Sequence, residues 1–541
     1  MRLRGAHFLL IAALAASAAL LFSYVSRLSF IGDEWQLMIS RPDWDAGAFL
    51  EPFNENLVVG IVVVYKTGLA LFGMDSALPF YVVSILLFLL SAVLLFFYLE
   101  RRVGAWMAAV GATLVLFLGA AYEDLFWAFQ MGFFGSTAAG LGALLALDRE
   151  DRIGDRLACG LLLVSLAFGS VGLAFLAAGL ADLAFGRKPR RRRAYITVVP
   201  LLAYAVWWLG WGQSAGDQID FDSILRTPGY VFDAAAGGLV SLLGREPIDA
   251  DGSPPLIAQA LLVVLIFCAG FRLHRQGELS RGMTVALALA LSFWILIGLN
   301  RTVGDRFAIS SRYQYPSAVF ILIVAAELLR GVRVPRLAMA AVAIVAAAAV
   351  AAGITKMDEQ FPGWKTSSDE IQLNLSALEI SRPVVPPDFA VPLPPSTHST
   401  AAAYFAAVDR FGSPVYDEAE LLALPEEERR YVDRKLAEAM GIELAGLGDG
   451  LRTTACRTID PAAPATEFST GSFTLVNNNP EPIKARLARF ADVTAVGLGR
   501  IPAGAGRSFT IPADASDRRW RLAALGGPLR LCRAHPIAGS A

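Results

Sequence analysis

The sequence predicts a polytopic α-helical membrane protein with about eleven transmembrane helices and a C-terminal extracytoplasmic α+β domain containing a small β-sandwich. Three observations predict it. Of 541 residues, 55% are hydrophobic and 18% charged, and the mean hydropathy is +0.52, too apolar for a soluble chain of two or three domains. Apolar windows of roughly 20 residues, the length a spanning helix needs, recur as far as residue 355. Beyond that point prolines gather, and the pattern changes to amphipathic helix and then to alternation with period two. The net charge of −1 averages a basic side against an acidic one and speaks for no nucleic-acid partner.

The expected spans run 7–26, 78–99, 105–121, 132–147, 156–169, 171–186, 194–212, 254–273, 283–299, 314–331 and 337–355. Met1-Arg2-Leu3-Arg4 opens the first like a signal peptide. Aromatic and acidic residues follow it rather than a small-residue cleavage site, so the span is expected to be retained. The stretch 156–186 is one long tilted helix or two short ones turning at Gly169-Ser170, and topology chooses between them. Lys and Arg in short loops favour the cytoplasm. Arg101-Arg102, Arg149 with Arg152 and Arg156, the run 187–193, Arg272 with Arg275 and Arg281, and Arg330 with Arg333 and Arg336 share one face only if 156–186 is a hairpin. The chain is then multi-pass in the inner (plasma) membrane, with a cytoplasmic N-terminus and an extracytoplasmic tail. The external segments are 27–77, 122–130, 213–253, 300–313 and the tail. The run 187–193 reads as a topogenic stop, with a lipid-headgroup site as the other reading. Within the first loop, 57–65 is apolar but short, which suits a helix at the membrane interface.

The domains expected are a membrane domain over 1–355, a Pro-rich linker over 356–400, and an extracytoplasmic domain over 401–541, helical at 401–445 and β-rich at 450–541. Pro383, Pro386, Pro387, Pro392, Pro394 and Pro395 mark the linker. Segments 472–476 and 508–511 alternate as strands do. Of four cysteines, Cys159 and Cys268 lie in apolar runs as small hydrophobes, while Cys456 and Cys532 bracket the β segment. A bridge between that pair ties its first and last strands, for on the order of 4 kcal/mol in the chain-entropy model, and an oxidising exterior permits it. No CxxC, HExxH or glycine-rich phosphate loop supports zinc, haem, nucleotide or redox chemistry.

Asp33 and Glu34 follow the first span directly, beside Trp35, placing two carboxylates at the membrane surface. A carboxylate there, partly desolvated, suits proton abstraction from a hydroxyl; the plainer reading is a solvated acid beside an interfacial anchor. Tyr122-Glu123-Asp124-Leu125-Phe126-Trp127, with Gln130 a turn later, repeats the pattern in the next external loop. Arg306 and Arg312, with Tyr313, lie at the external mouth of the tenth span, against the positive-inside bias. Guanidinium forks fit phosphate oxygens, so these residues read as a clamp for a lipid phosphate; the alternative is an Arg paired with an acid of a neighbouring loop.

Taken together, the Asp-Glu pair after the first span, the long first loop with a surface helix, the second acidic loop and the late Ser311-Arg312-Tyr313 resemble the GT-C superfamily of integral membrane glycosyltransferases. The resemblance covers about residues 1 to 355. It implies transfer of a sugar from a polyprenyl-phosphate carrier to a glycan, lipid or protein acceptor outside the cytoplasm, with membrane lipids around the enzyme. By position, Asp33 looks like the family's general base, with Glu34 in support. Glu123 and Asp124 look like the second acidic loop, and Arg312 like the late arginine that faces the carrier phosphate. Segment 51–57 also looks like the family's first loop, where a His often stands near Asn56; the four His here (His7, His274, His398, His535) lie elsewhere. An inverting transfer needs one base and one cation at the leaving phosphate. The second acidic pair then positions the acceptor or holds a divalent cation, Mg or Mn, and the metal stays open. The competing functions are a transporter or flippase of lipid-linked saccharides, and a non-catalytic glycan-binding scaffold. Coupled transport calls for ionisable groups near the bilayer midplane, whereas Asp182 and Glu327 lie near span ends.

Overall fold

The computed structural model describes residues 2–186, 190–215, 219, 221–246, 255–276, 279–300, 307–393, 397–446, 451–492 and 495–536. In chain order the first helices are α1 (Arg2–Val25), α2 (Asp33–Ser40), α3 (Ala46–Leu50), α4 (Val59–Phe72), α5 (Leu78–Val103), α6 (Ala105–Leu116), α7 (Tyr122–Phe126) and α8 (Met131–Leu147). Then come α9 (Arg152–Phe168), α10 (Val171–Phe185), α11 (Arg190–Arg193), α12 (Tyr195–Gly210), α13 (Phe221–Leu242), α14 (Leu256–Gln276), α15 (Arg281–Leu299), α16 (Ser311–Leu328) and α17 (Arg336–Ile380). The chain divides into two units: Met1–Leu28, Arg41–Phe72 and Ala77–Lys365 form the first, and Ser29–Ser40, Gly73–Ser76 and Thr366–Ala541 the second.

The first unit is a helical bundle whose contacts define two ends. At one end His7 Nε2 lies 3.5 Å from Glu100, Arg102 pairs with Asp148 at 3.1 Å, and Arg281 with Asp182 at 2.6 Å. At the other, Tyr24 donates to Asp358 at 2.5 Å, Tyr81 to the Phe126 carbonyl at 3.1 Å, and Ser311 to the Ala120 carbonyl at 2.7 Å. Helix α1 runs from the first end to the second, α5 returns, and the alternation continues. Helices α9 and α10 form an antiparallel hairpin that turns at Gly169, φ 150°, so 156–186 is two helices. A helix stands at each expected span. Among the described residues, six are long and apolar enough to cross a membrane, or seven if α6 and the following 119–126, bent by 40°, make one span. The chain is thus a multi-pass membrane protein; eleven crossings remain the sequence expectation.

Two expectations need correction here. Segment 213–253, expected as a loop, contains the 22-residue α13. This helix lies along the second end, with Thr227 and Tyr230 against Gly298 and Ser241 donating to Gln314 at 3.1 Å. Its C-terminal half is small and buried all round, with Ala234, Ala235, Ala236, Gly237 and Gly238, while Asp222 and Arg226 keep its average polarity high, so a hydropathy window passes over it. The linker expected over 356–400 is helix as far as Ile380: α17 is 45 residues long and holds a single proline, Pro362. The charges from Lys356 onward end an apolar window but not a helix, because Leu373, Ala377 and Ile380 keep helical spacing and enter the core of the second unit. The prolines stop it only from Pro383.

In the second unit, α18 (Ala401–Phe411), α19 (Glu418–Ala423) and α20 (Glu426–Ala439) precede the strands, and the hairpin β1 (Ala390–Leu393) and β2 (Thr397–Thr400) precedes them all. A capping box between Asp417 and Glu420 starts α19. The strands are β3 (Ala445–Gly446), β4 (Leu451–Ile459), β5 (Thr466–Phe468), β6 (Gly471–Val476), β7 (Ile483–Ala488), β8 (Val496–Ile501), β9 (Gly506–Ile511), β10 (Trp520–Leu525) and β11 (Leu529–Pro536). They make a four-stranded sheet, β5-β10-β7-β8, and a five-stranded sheet, β3-β9-β6-β11-β4. Alternate residues of both sheets, among them Phe473, Leu475, Leu487, Phe509, Trp520 and Leu522, share one core, which is the sandwich expected. Cys456 and Cys532 are bridged, joining the neighbouring strands β4 and β11. The membrane domain expected over 1–355 does not hold all of its first loop. Segment Ser29–Ser40 packs with the second unit, because Trp35 is fully buried against Phe30 and Tyr404 and Ser29 N–H donates to Ser368 at 2.8 Å.

Candidate active site

At the second end of the bundle, chain geometry sets the acidic loop before any side chain acts. Helix α6 stops at Leu116, a 3-10 turn covers Gly119–Ala121, and α7 leaves at a new angle. The break lies hard against α17: a Cβ on Gly119 would sit 2.1 Å from the Gly353 carbonyl oxygen, and one on Gly353 2.0 Å from that of Phe117. Only glycine fits at either place. Ser311, at the start of α16, then fastens α16 to the break. Its hydroxyl donates to the Ala120 carbonyl at 2.7 Å and accepts the Glu123 N–H at 3.1 Å.

These bonds bring Arg312 Nε to 3.3 Å from Glu123 Oε2, with side chains 38% and 23% exposed. The pair has ion-pair distance without hydrogen-bond alignment, since neither atom has a hydrogen-bond partner among the described residues. Arg312 is held by charge, and its donors are left for another acceptor. The alternative of an Arg paired with an acid of a neighbouring loop is therefore realised, in a form that keeps the guanidinium reachable. Beside it Asp124 is fully buried, and neither carboxylate oxygen has a hydrogen-bond partner among the described residues. A buried carboxyl left this way costs stability, which makes Asp124 a candidate for a functional group. Gln130 is buried, and Tyr313 sits edge-on to Phe133 with Arg312 6.0 Å from its ring. Arg306 lies outside the described residues.

Asp33 and Glu34 belong to the second unit. Gly32, at φ 55°, makes a left-handed turn that Asp33 follows as the first residue of α2. Glu34, expected in support of Asp33, is fully buried, and its carboxylate accepts the Ile31 N–H at 2.6 Å across that turn. Trp35 donates to the Phe30 carbonyl at 3.0 Å and locks the same turn. Asp33 is 7% exposed. The neighbouring Tyr404 donates to Glu379 at 2.7 Å, and burial, followed by the Glu379 charge, holds its hydroxyl well above the ordinary tyrosine range.

Of the residues singled out from sequence, Glu123, Asp124, Arg312 and Tyr313 come together in the first unit, while Asp33 and Glu34 are held in the second. Sequence reasoning gave no role to Ser311, Gly119 or Gly353; the polar Ser310-Ser311 before a span was the available signal. Among the described residues no three His, Cys, Asp or Glu side chains assemble as metal ligands. Glu123 and Asp124 offer two carboxylates, one of them already against a guanidinium.

No family model matches the chain, and no curated protein is similar to it in sequence. Solved structures of ArnT from Cupriavidus metallidurans are similar to it. The apo state has a TM-score of 0.46 and 12% identity, over 70% of this chain and 81% of that one. The form bound to undecaprenyl phosphate has a TM-score of 0.45 and 14% identity, over 75% and 85%. At these values the likeness decides neither family nor activity.

Proposed function

We propose that the chain is a membrane glycosyltransferase of GT-C type that moves a sugar from a polyprenyl-phosphate carrier to a cell-envelope glycan, lipid or protein on the extracytoplasmic face. The observation that carries this reading is the reachable Arg312, poised at one end of a membrane bundle beside Glu123 and Asp124, whose carboxylate has no hydrogen-bond partner among the described residues. In this reading Asp33 takes the proton of the acceptor hydroxyl. The hydroxyl oxygen bonds to the anomeric carbon as the carbon–oxygen bond to phosphate breaks, and polyprenyl phosphate leaves with its new charge met by Arg312. Inversion follows from the single displacement. Asp124 and Gln130 orient the acceptor, and no step needs a metal.

The test is to incubate purified protein with a panel of polyprenyl-phosphate sugars and score release of free carrier. Release from at least one donor is expected, and Asp33→Asn abolishes it with membrane insertion intact. Absence of release across the panel speaks against glycosyl transfer; wild-type turnover by the variant removes Asp33 from the mechanism.

A further inference from the structure

At the first end of the bundle, opposite the acidic loop, the helix termini enclose a cavity of about 330 Å³ lined by four arginines and three carboxylates. The carboxylates are already answered. Asp148 receives Arg102 through both oxygens, at 3.1 and 3.3 Å. Asp182 receives Arg281 at 2.7 Å and Arg193 at 3.2 Å, and Glu150 also receives Arg281. Beneath the wall, the fully buried Glu327 is paired with Arg102. Arg102 and Arg281 therefore have little left to give.

Two arginines on the rim differ. Arg101 makes only long contacts through one Nη, to Asp148 at 3.5 Å and to the Leu145 carbonyl at 3.4 Å, and is 50% exposed. Arg330 reaches Glu327 only at 3.5 Å and is 59% exposed. Contacts at that distance contribute little and are given up readily. A cation entering the cavity must displace a well-bonded arginine from its carboxylate, whereas an anion need only draw two loosely held forks inward. The lining carries one more positive than negative charge. Guanidinium forks match tetrahedral oxyanions, and the volume lies at the small end of ligand sites, suiting a headgroup-sized molecule.

We propose that this cavity is an anion site that binds a phosphate group through Arg101 and Arg330, the phosphate coming from a phospholipid headgroup or from a free phosphate compound. The proposal is independent of the glycosyl-transfer reading. Its test uses the purified full-length chain and two probes: inorganic phosphate by calorimetry, and phosphatidylglycerol against phosphatidylcholine by lipid retention in native mass spectrometry. Phosphatidylglycerol retention with inert inorganic phosphate identifies a lipid headgroup, and phosphate binding without lipid preference identifies a free phosphate. In either case R101A/R330A weakens binding at least tenfold while the ligand-free melting midpoint stays unchanged. Should that variant lose its fold, R101K/R330K, which keeps charge but loses the forks, shows an intermediate loss. Failure of both probes to bind the wild type, or binding unchanged in the variants, overturns the proposal.

Discussion

Arg312→Ala separates stability from chemistry, because the structure assigns the side chain a weak resting contact and the proposed reaction a strong one. Its pair with Glu123 spans 3.3 Å without hydrogen-bond alignment, and both side chains are partly exposed. Such a pair contributes about 0–1 kcal/mol, so the melting midpoint should move by only a few degrees. In the reaction the same guanidinium meets charge that develops on the leaving phosphate. Losing one preorganised donor of that kind costs roughly 10²–10³ in turnover, about 3–4 kcal/mol. The Michaelis constant for the lipid donor should rise as well, since the carrier phosphate is bound before it leaves. Arg312→Lys keeps the charge without the fork and should recover part of the loss. The assay is release of labelled polyprenyl phosphate from a donor that the wild type turns over, with thermal unfolding followed on the same preparation. Unchanged turnover and Michaelis constant, or a loss of activity matched by a comparable loss of fold, refutes the assignment.

Other expectations concern the scaffold. Asp433, fully buried, accepts the N–H groups of Arg489 and Phe490 at 2.9 Å each and of Ala491 at 3.1 Å. Asp433→Ala leaves three donors unmet at about 1–3 kcal/mol each, so limited proteolysis should cut the tail at markedly lower temperature; unchanged resistance contradicts this. Gly353→Ala puts a methyl group 2.0 Å from the Phe117 carbonyl, a backbone atom that cannot swing aside. It should cost about 1–3 kcal/mol or more and lower transfer with it, because the acidic loop rides on that break; a variant with normal melting and normal turnover sinks the idea. Reducing Cys456–Cys532, separated by 76 positions, should destabilise the sandwich by about 4 kcal/mol in the chain-entropy model, read as a lower unfolding midpoint under reductant.

Much of the bundle was legible because bilayer physics writes itself into runs of single residues. Long apolar windows mark helices, and the arginine clusters required 156–186 to be a hairpin before Gly169 was seen to turn it. What hydropathy missed follows from averaging. Helix α13 buries a run of alanine and glycine at 234–238, so its window is unremarkable although that stretch is closely packed. The continuation of α17 was hidden for the opposite reason. Charge at Lys356 and Asp358 ends a lipid-facing stretch, but helix propensity and the spacing of Leu373, Ala377 and Ile380 carry the same helix into a different core.

The candidate site was legible in its residue types and not in its bonds. An Arg where the positive-inside pattern expects none, and paired acids beside tryptophan, can be seen in a sequence. Ser311 ties the start of α16 to the α6–α7 break, where Arg312 Nε lies 3.3 Å from Glu123 and neither Asp124 oxygen has a hydrogen-bond partner among the described residues. The same limit explains Glu34. Two adjacent acids look equivalent in a sequence, yet the turn at Ile31 gives Glu34 a backbone N–H to accept. Arrangements that depend on a single hydroxyl or a single backbone N–H leave no periodic trace. The residues that set the positions of these charged side chains are therefore harder to read from sequence than the side chains themselves, and in this chain they are a serine, two glycines and a buried glutamate.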